Sequence, residues 1–303
     1  MAEGDKNTKF YHAVIKEKRA RNKLIVHDDM GDIISDPKII GDMAATHFEN
    51  LFKATPYHID KDLFSCITKT LSQQDNNDLM TLPTKTEILT AINKISANSS
   101  PGSDGFTRVF YSHCWDIIAD DLTALIHGFY KGDQMSKLNS LSTLVLIPKI
   151  QKPKGIGDYR PISLSNFPGK IISRIIADRL GKTLPKVIDE TQFGFLKGRN
   201  IHEAIALVHE MTQQLDRKIN GGNVMFKIDM SKAYDRLEWR FLIHCLRAMG
   251  YCEDFVDLIY RNICSICYTI SINGFNYGRF NSQRGLRQGD PLSPLLFIIA
   301  QQR

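Results

Sequence analysis

Between residues 84 and 131 the apolar positions recur at helical spacing, and between 141 and 165 they crowd into short strand-like runs. Thr84 and Glu87 make the signature of a capping box, and Ile88, Ala91, Ile92 and Ile95 follow at i, i+3, i+4 and i+7, which predicts a helix. The Ser/Gly/Pro cluster SANSSPGSDGF ends it, and Trp115, Ile118, Leu122, Leu125, Ile126 and Phe129 predict a second helix. LSTLVLIPKI, the polar turn QKPKGIGD and YRPISLS then predict a β-hairpin with basic residues around its tip. Further helices are expected over GKIISRIIADRLGKTL, from about His202 to Lys218, over SKAYDRLEWRFLIHCLRAMG and over DFVDLIYRNIC. VMFKID reads as a strand, two more strands fall around 266 to 281, and Pro291 opens a buried helix through LSPLLFIIA. Ahead of all these, residues 1 to 23 read as a basic amphipathic helix, KLIVHDDMGDIIS as a short hairpin, and 53 to 83 as a polar, irregular connector. Helices and a hairpin preceding a strand-rich region, with no internal repeat, suit an α+β fold better than alternating βαβ units.

Composition places the chain among globular proteins: 303 residues, 43% hydrophobic and 24% charged, enough to bury one large core or two smaller ones. No apolar run is long enough for a membrane span, and the first residues are too polar for a secretory signal, so a reducing intracellular compartment is expected. The net charge of +6 is unevenly placed. Residues 1 to 23 carry seven Lys/Arg against three acids, and residues 145 to 200 carry eleven against four, which leaves the remainder acidic. Basic segments on an otherwise acidic chain point to a polyanion, because phosphate contacts release counterions and need no sequence preference. For any single lysine, solvated surface explains the charge as well.

Six cysteines show no framework spacing. Cys264 and Cys267 form the one C-x-x-C, but strand residues three apart point to opposite faces and share a zinc poorly, so these read as small core or surface thiols. Asp229 raises a sharper question. An acid at the end of a hydrophobic strand is costly unless it holds a cation or caps a helix.

NSSPGSDGF, LIPKIQKPKGIGDYRPISLS, QFGFLKGRN, FKIDMSKAYDRLEW and RGLRQGDPLSP, in this order and spacing, resemble the successive motifs of the reverse transcriptase domain of LINE-type non-LTR retrotransposons. The opening GDKNTKFYHAVIKEKRARNKL resembles the segment before that domain in the versions abundant in plants. The resemblance implies a partial right-hand polymerase: a basic extension over 1–52, a connector over 53–83, fingers over 84–220 and an incomplete palm over 221–303, without a thumb. The implied chemistry is nucleotidyl transfer from a dNTP to a DNA primer on an RNA template, assisted by two Mg²⁺ ions held by hard oxygen ligands. Nucleus or cytoplasm would be its location, and no obligate protein partner is evident.

Carried over residue by residue, the resemblance implies that Asp229 is the first metal-binding carboxylate. It implies that Tyr234 is a ring beneath the sugar, although a tyrosine on an amphipathic helix is more often core packing. Arg160 matches the finger arginine that grips the triphosphate, as a planar, permanently charged guanidinium can. Lys149 or Lys154 on the same hairpin could add a second charge. Arg199 and Gln192 resemble a finger element facing template or nucleotide. Gln288 and Gly289 match positions near the templating pair, the glycine allowing close backbone approach. Asp235 and Arg236 read as capping and pairing residues, and Asp290 as an N-cap.

In the family the second carboxylate pair lies in an aromatic-Ala-Asp-Asp hairpin downstream of the helix at Pro291, and this sequence ends at Arg303. Asp28-Asp29 and Asp120-Asp121 match other parts of the pattern. The expectation is therefore a polymerase domain that is inactive as a 303-residue chain, the alternatives being a nucleic-acid-binding fragment without catalysis and a decayed element product.

Overall fold

The computed structural model describes residues 12–13, 16, 24, 26–27, 31–56, 58, 60–213, 215 and 221–302. Most of the basic helix expected over 1 to 23 lies outside them. Of the first hairpin, β1 (Val26–His27) and β2 (Ile33–Ile34) pair antiparallel, with Val26 opposite Ile34. The fold is α+β, with two apolar clusters serving one cleft.

One cluster is built on a four-stranded sheet in the order β4-β3-β5-β6. The expected hairpin forms from β3 (Leu141–Pro148) and β4 (Tyr159–Ser165), antiparallel, with Ile147 opposite Arg160. β5 (Cys267–Ile272) joins β3 in parallel, and β6 (Phe275–Asn281) turns back along β5. Helix α1 (Pro37–Leu51) covers one face, packing Ile40, Ala44 and Phe48 with Tyr268, Ile270 and Phe280. It approaches so closely that a Cβ on Gly41 would lie 2.3 Å from the Tyr277 ring. Residues 37–51, assigned from sequence to an extension, thus share a core with strands more than two hundred residues away.

The second cluster is helical. α2 (Gln73–Met80), α3 (Lys85–Lys94), α4 (Arg108–His113) and α5 (Trp115–Lys131) surround α6 (Phe167–Val187), whose Ile171, Ile172, Ile175, Ile176 and Leu180 are buried. α2 corrects the expectation of an irregular connector. Its sequence QQDNNDLM has too few apolar positions to show a period, yet Ser72 and Asp75 close a reciprocal capping box and Leu79 is fully buried. At α3 only half of the predicted box is made: Thr84 Oγ1 accepts from the Glu87 N–H at 3.2 Å. The Glu87 carboxylate is instead held by the buried Arg179 guanidinium at 2.8 and 2.7 Å, which fixes α3 to α6.

α7 (Ile201–Gln213) follows a long loop. The helix expected over 231 to 250 is broken into α8 (Ala233–Arg236) and α9 (Trp239–Met249). The physical reason is the docking of residues 283–286: the Leu237 carbonyl accepts the Gly285 N–H at 2.7 Å rather than a helical N–H, and the Glu238 carboxylate pairs with Arg284 at 3.0 Å. α10 (Glu253–Cys264) leads into the sheet, and α11 (Ser293–Gln301) ends the described chain. α11 begins at Ser293 rather than at Pro291, with Pro294 in its first turn.

The strand expected over 224 to 229 does not form. Residues 221–230 are irregular and exposed throughout, because no described strand lies beside them to complete a ladder. Among the described residues no helix is long and apolar enough to cross a membrane.

Candidate functional site

A cleft of about 820 Å³ opens between the β3–β4 hairpin, α6, residues 229–235 and the turn before α11. Lys149, Arg160, Asp229, Tyr234, Gln288 and Gly289 all line it. Segments spread over about 140 residues of sequence therefore meet at one surface. Lys154, Gln192 and Arg199 do not line this cleft.

The turn carrying Gln288 and Gly289 is fastened from several sides. Gly285, at φ +86°, donates to the Leu237 carbonyl and accepts from the Trp239 indole, each at 2.7 Å. A Cβ there would lie 2.8 Å from the Asp235 carbonyl, so the approach requires glycine. Leu286 N–H donates to the Tyr234 carbonyl at 2.7 Å. The Gln288 side-chain amide donates to Asp235 Oδ1 at 2.7 Å, and its carbonyl accepts the Ser163 N–H of β4 at 2.9 Å. Gln288 is thereby the tie between the hairpin and the segment that continues from Asp229. Beneath it the buried Arg287 guanidinium reaches Asn262 Oδ1 of α10 at 2.7 Å, Ser173 Oγ of α6 at 3.0 Å and the Asp290 carboxylate at 2.9 Å. Asp290 Oδ1 also accepts the Leu292 N–H at 2.9 Å, one turn before the helix proper, in place of the expected N-cap on α11.

Tyr234 packs into the core and also borders the cleft. Its ring stacks on Phe297 of α11, centroids 4.8 Å apart and planes 16° apart, while the residue lines the cleft. Burial pushes its hydroxyl above the usual phenol range. Asp235 is buried. Burial raises its carboxyl above the ordinary range, opposed by the Gln288 hydrogen bond and the charges of Lys149, Lys232 and Arg236.

Cations outnumber anions along the walls. Lys170 is buried with its ammonium on the Ser100 carbonyl at 2.6 Å, and burial lowers its pKa. Lys149 donates to the Gly157 carbonyl at 3.0 Å rather than to an acid, and Arg160 is exposed with no ion pair among the described residues. Lys232 has its pKa lowered, first by burial and then by Lys149. Lys170, Lys232 and Arg287 were not singled out from sequence: no periodicity marks a lysine inside a helix or a left-handed residue between two helical runs.

Asp229 is an exposed carboxylate at the cleft. The other two carboxylates there are engaged, Asp235 by Gln288 and Asp290 by Arg287 and Leu292 N–H. Among the described residues no group of three or more His, Cys, Asp or Glu could hold a metal ion. These donors do not fit a two-ion site.

Arg199 braces its own loop, donating to the carbonyls of Gln192 at 2.6 Å, Ile188 at 3.2 Å and Asp189. Gln192 contacts the Gly194 carbonyl within the same loop. Lys154 sits exposed at the hairpin tip, its N–H on Asp158 Oδ2 at 2.9 Å and its carbonyl accepting the His27 N–H at 2.8 Å.

Residues 148–303 match the family model described as reverse transcriptase (RNA-dependent DNA polymerase). The chain is 27% identical over 303 residues to the transposon TX1 uncharacterized 149 kDa protein of Xenopus laevis, covering 99% of this chain and 23% of that protein. It is 27% identical over 210 residues to the Pol polyprotein of the type-2 retrotransposable element R2DM of Drosophila melanogaster, covering 69% of this chain and 19% of that protein. It is also 24% identical over 280 residues to the probable RNA-directed DNA polymerase from transposon BS of Drosophila melanogaster, covering 89% of this chain and 30% of that protein. The chain thus spans between 19% and 30% of the length of these relatives.

Proposed function

Because the chain belongs to the reverse transcriptase (RNA-dependent DNA polymerase) family, we propose that its cleft receives the incoming nucleoside triphosphate for DNA synthesis on an RNA template. The observation that carries this reading is the convergence of Arg160, Lys149, Asp229, Tyr234, Gln288 and Gly289 on one cavity. Arg160 supplies a fork of donors for phosphate oxygens, and Lys149 adds a point charge beside it. Tyr234, held flat by Phe297, is the floor for the sugar. Gln288 and Gly289 stand where a base pair is inspected, their backbone fixed by Ser163. Residues 84–220 act as fingers and 221–303 as palm in this reading. The hairpin tip with Lys154, and the loop braced by Arg199 and Gln192, contact the RNA template and DNA primer.

Enzymes of this family generally use divalent metal ions, which activate the attacking hydroxyl and stabilise the leaving pyrophosphate. One free carboxylate cannot hold two such ions in octahedral oxygen coordination. The 303-residue polypeptide by itself therefore binds and orients nucleotide without joining it to a primer. Titration of a dNTP into this chain in Mg²⁺ tests the reading: Arg160→Ala raises the dissociation constant by about tenfold, the scale of one charge-assisted contact. Equal affinity in the two proteins overturns it. Template-dependent primer extension by the same polypeptide overturns the claim of binding without transfer.

A further inference from the structure

Lys232 sits where a lysine is out of place. It is a non-glycine residue at φ 53° and ψ 44°, in the left-handed region where Cβ crowds the following carbonyl. Glycine or asparagine fills such a position at lower cost. The conformation is locked by two bonds, since the Lys232 carbonyl accepts the N–H groups of Asp235 at 3.0 Å and Arg236 at 3.1 Å. A turn alone does not call for this side chain, so the reason for a lysine must lie in its ammonium.

That ammonium is poorly served by the protein. Lys232 is half-buried on the cleft wall and makes no ion pair or side-chain hydrogen bond among the described residues. Its charged neighbours are Lys149 and Arg236, which repel it, and Asp235, which is bonded to Gln288 and whose burial favours the neutral form. Lys149 and Arg160, on the same wall, are likewise without an acid. Three cations without acid partners in one cleft leave a local excess of positive charge that a compact polyanion would neutralise.

We propose that Lys232, resting on the nucleotide reading above, is a third cationic ligand for the triphosphate, beside Arg160 and Lys149 in the same cleft. Lys232 lines the cleft from this left-handed turn, and the bound phosphate relieves its repulsion with Lys149. Lys232 is a binding residue and takes no part in bond making.

Inorganic tripolyphosphate is the probe, since it carries the phosphate chain without base or sugar, and the 303-residue chain is titrated with it by calorimetry at fixed pH and salt. Lys232→Gly removes the ammonium while suiting the positive φ, so its melting temperature should equal or exceed that of the wild type. The expected result is affinity weakened about tenfold in Lys232→Gly and kept within about threefold in Lys232→Arg, which restores the charge. Tripolyphosphate binding that is absent in the wild type, or unchanged in Lys232→Gly, overturns the proposal. The two readings separate on dNTP. Tripolyphosphate binding that depends on Lys232, with dNTP held no more tightly, sustains this inference and removes the nucleotide reading. Binding of dNTP that depends on Arg160 but not on Lys232 does the reverse.

Discussion

Phe255 and Phe226 carry the same side chain and meet opposite fates. Phe255 on α10 is fully buried against Tyr251 and the helical core, whereas Phe226 is 82% exposed on the segment leading to Asp229. The contrast extends to their surroundings. In the cluster that holds Phe255 the apolar faces of eight helices close on one another, while Ile201, Ile205, Val208 and Met211 of α7 and Val224, Phe226 and Ile228 all face solvent. Hydrophobic residues in the right period propose an element, and only a facing surface makes it bury. The cleft consequently has one firm wall, made by β4, α6 and the 285–290 turn, and one uncovered wall that carries Asp229. An exposed apolar segment with unpaired backbone is also a template for association with other chains.

The largest effect is expected where packing is densest. Phe255→Ala should lower the unfolding free energy by about 3–5 kcal/mol, the range for deleting a buried ring, read from denaturant titration. A loss below about 1 kcal/mol would mean that the helical core is not as closed as described. Next is the turn that forms the firm wall. Gly285→Ala places a methyl group against the Asp235 carbonyl at a positive φ, and we expect a loss of about 2 kcal/mol together with weaker dNTP binding, because Gln288 shifts with it.

Asp235 gives a smaller, pH-dependent effect. Its carboxyl is raised above the ordinary range by burial, so its contribution to stability is present in full below the unfolded-state value and is lost as pH rises through the folded one. Asp235→Asn keeps an acceptor for Gln288 and abolishes that loss. The variant should therefore gain on the wild type as a series of melts moves from acid to neutral pH. Parallel curves would show that folding leaves the Asp235 carboxyl at its unfolded-state value. Smallest of all is Phe226→Ala, expected to change stability by less than about 0.5 kcal/mol because the ring buries almost nothing. A large loss there would erase the distinction between the two regions.

Much of this was legible in the sequence, and for identifiable reasons. Ile88, Ala91 and Ile92 announce α3 because that helix buries one regular face, and the apolar runs on either side of a polar turn announce the hairpin that holds Arg160. The order of the motifs brought six of nine candidate residues to one cleft. What stayed hidden depends on long-range partners. α2 is too polar to show a period, the break at Leu237 exists only because Gly285 docks there, and the Arg287 network joins α6, α10 and Asp290 across the chain. The segment 224–229 misled in the opposite sense: its pattern is that of a strand, and no described strand lies beside it.

Hydrogen exchange of the 303-residue chain with and without a dNTP in Mg²⁺ tests the central claim most directly, because it reads both walls of the cleft at once. In the free chain residues 224–229 should exchange fast and 88–92 slowly, and nucleotide should add protection at 229–235 and 287–290 while leaving 88–92 unchanged. Protection of 224–229 equal to that of 88–92 in the free chain, or added protection that bypasses the cleft, would contradict the account.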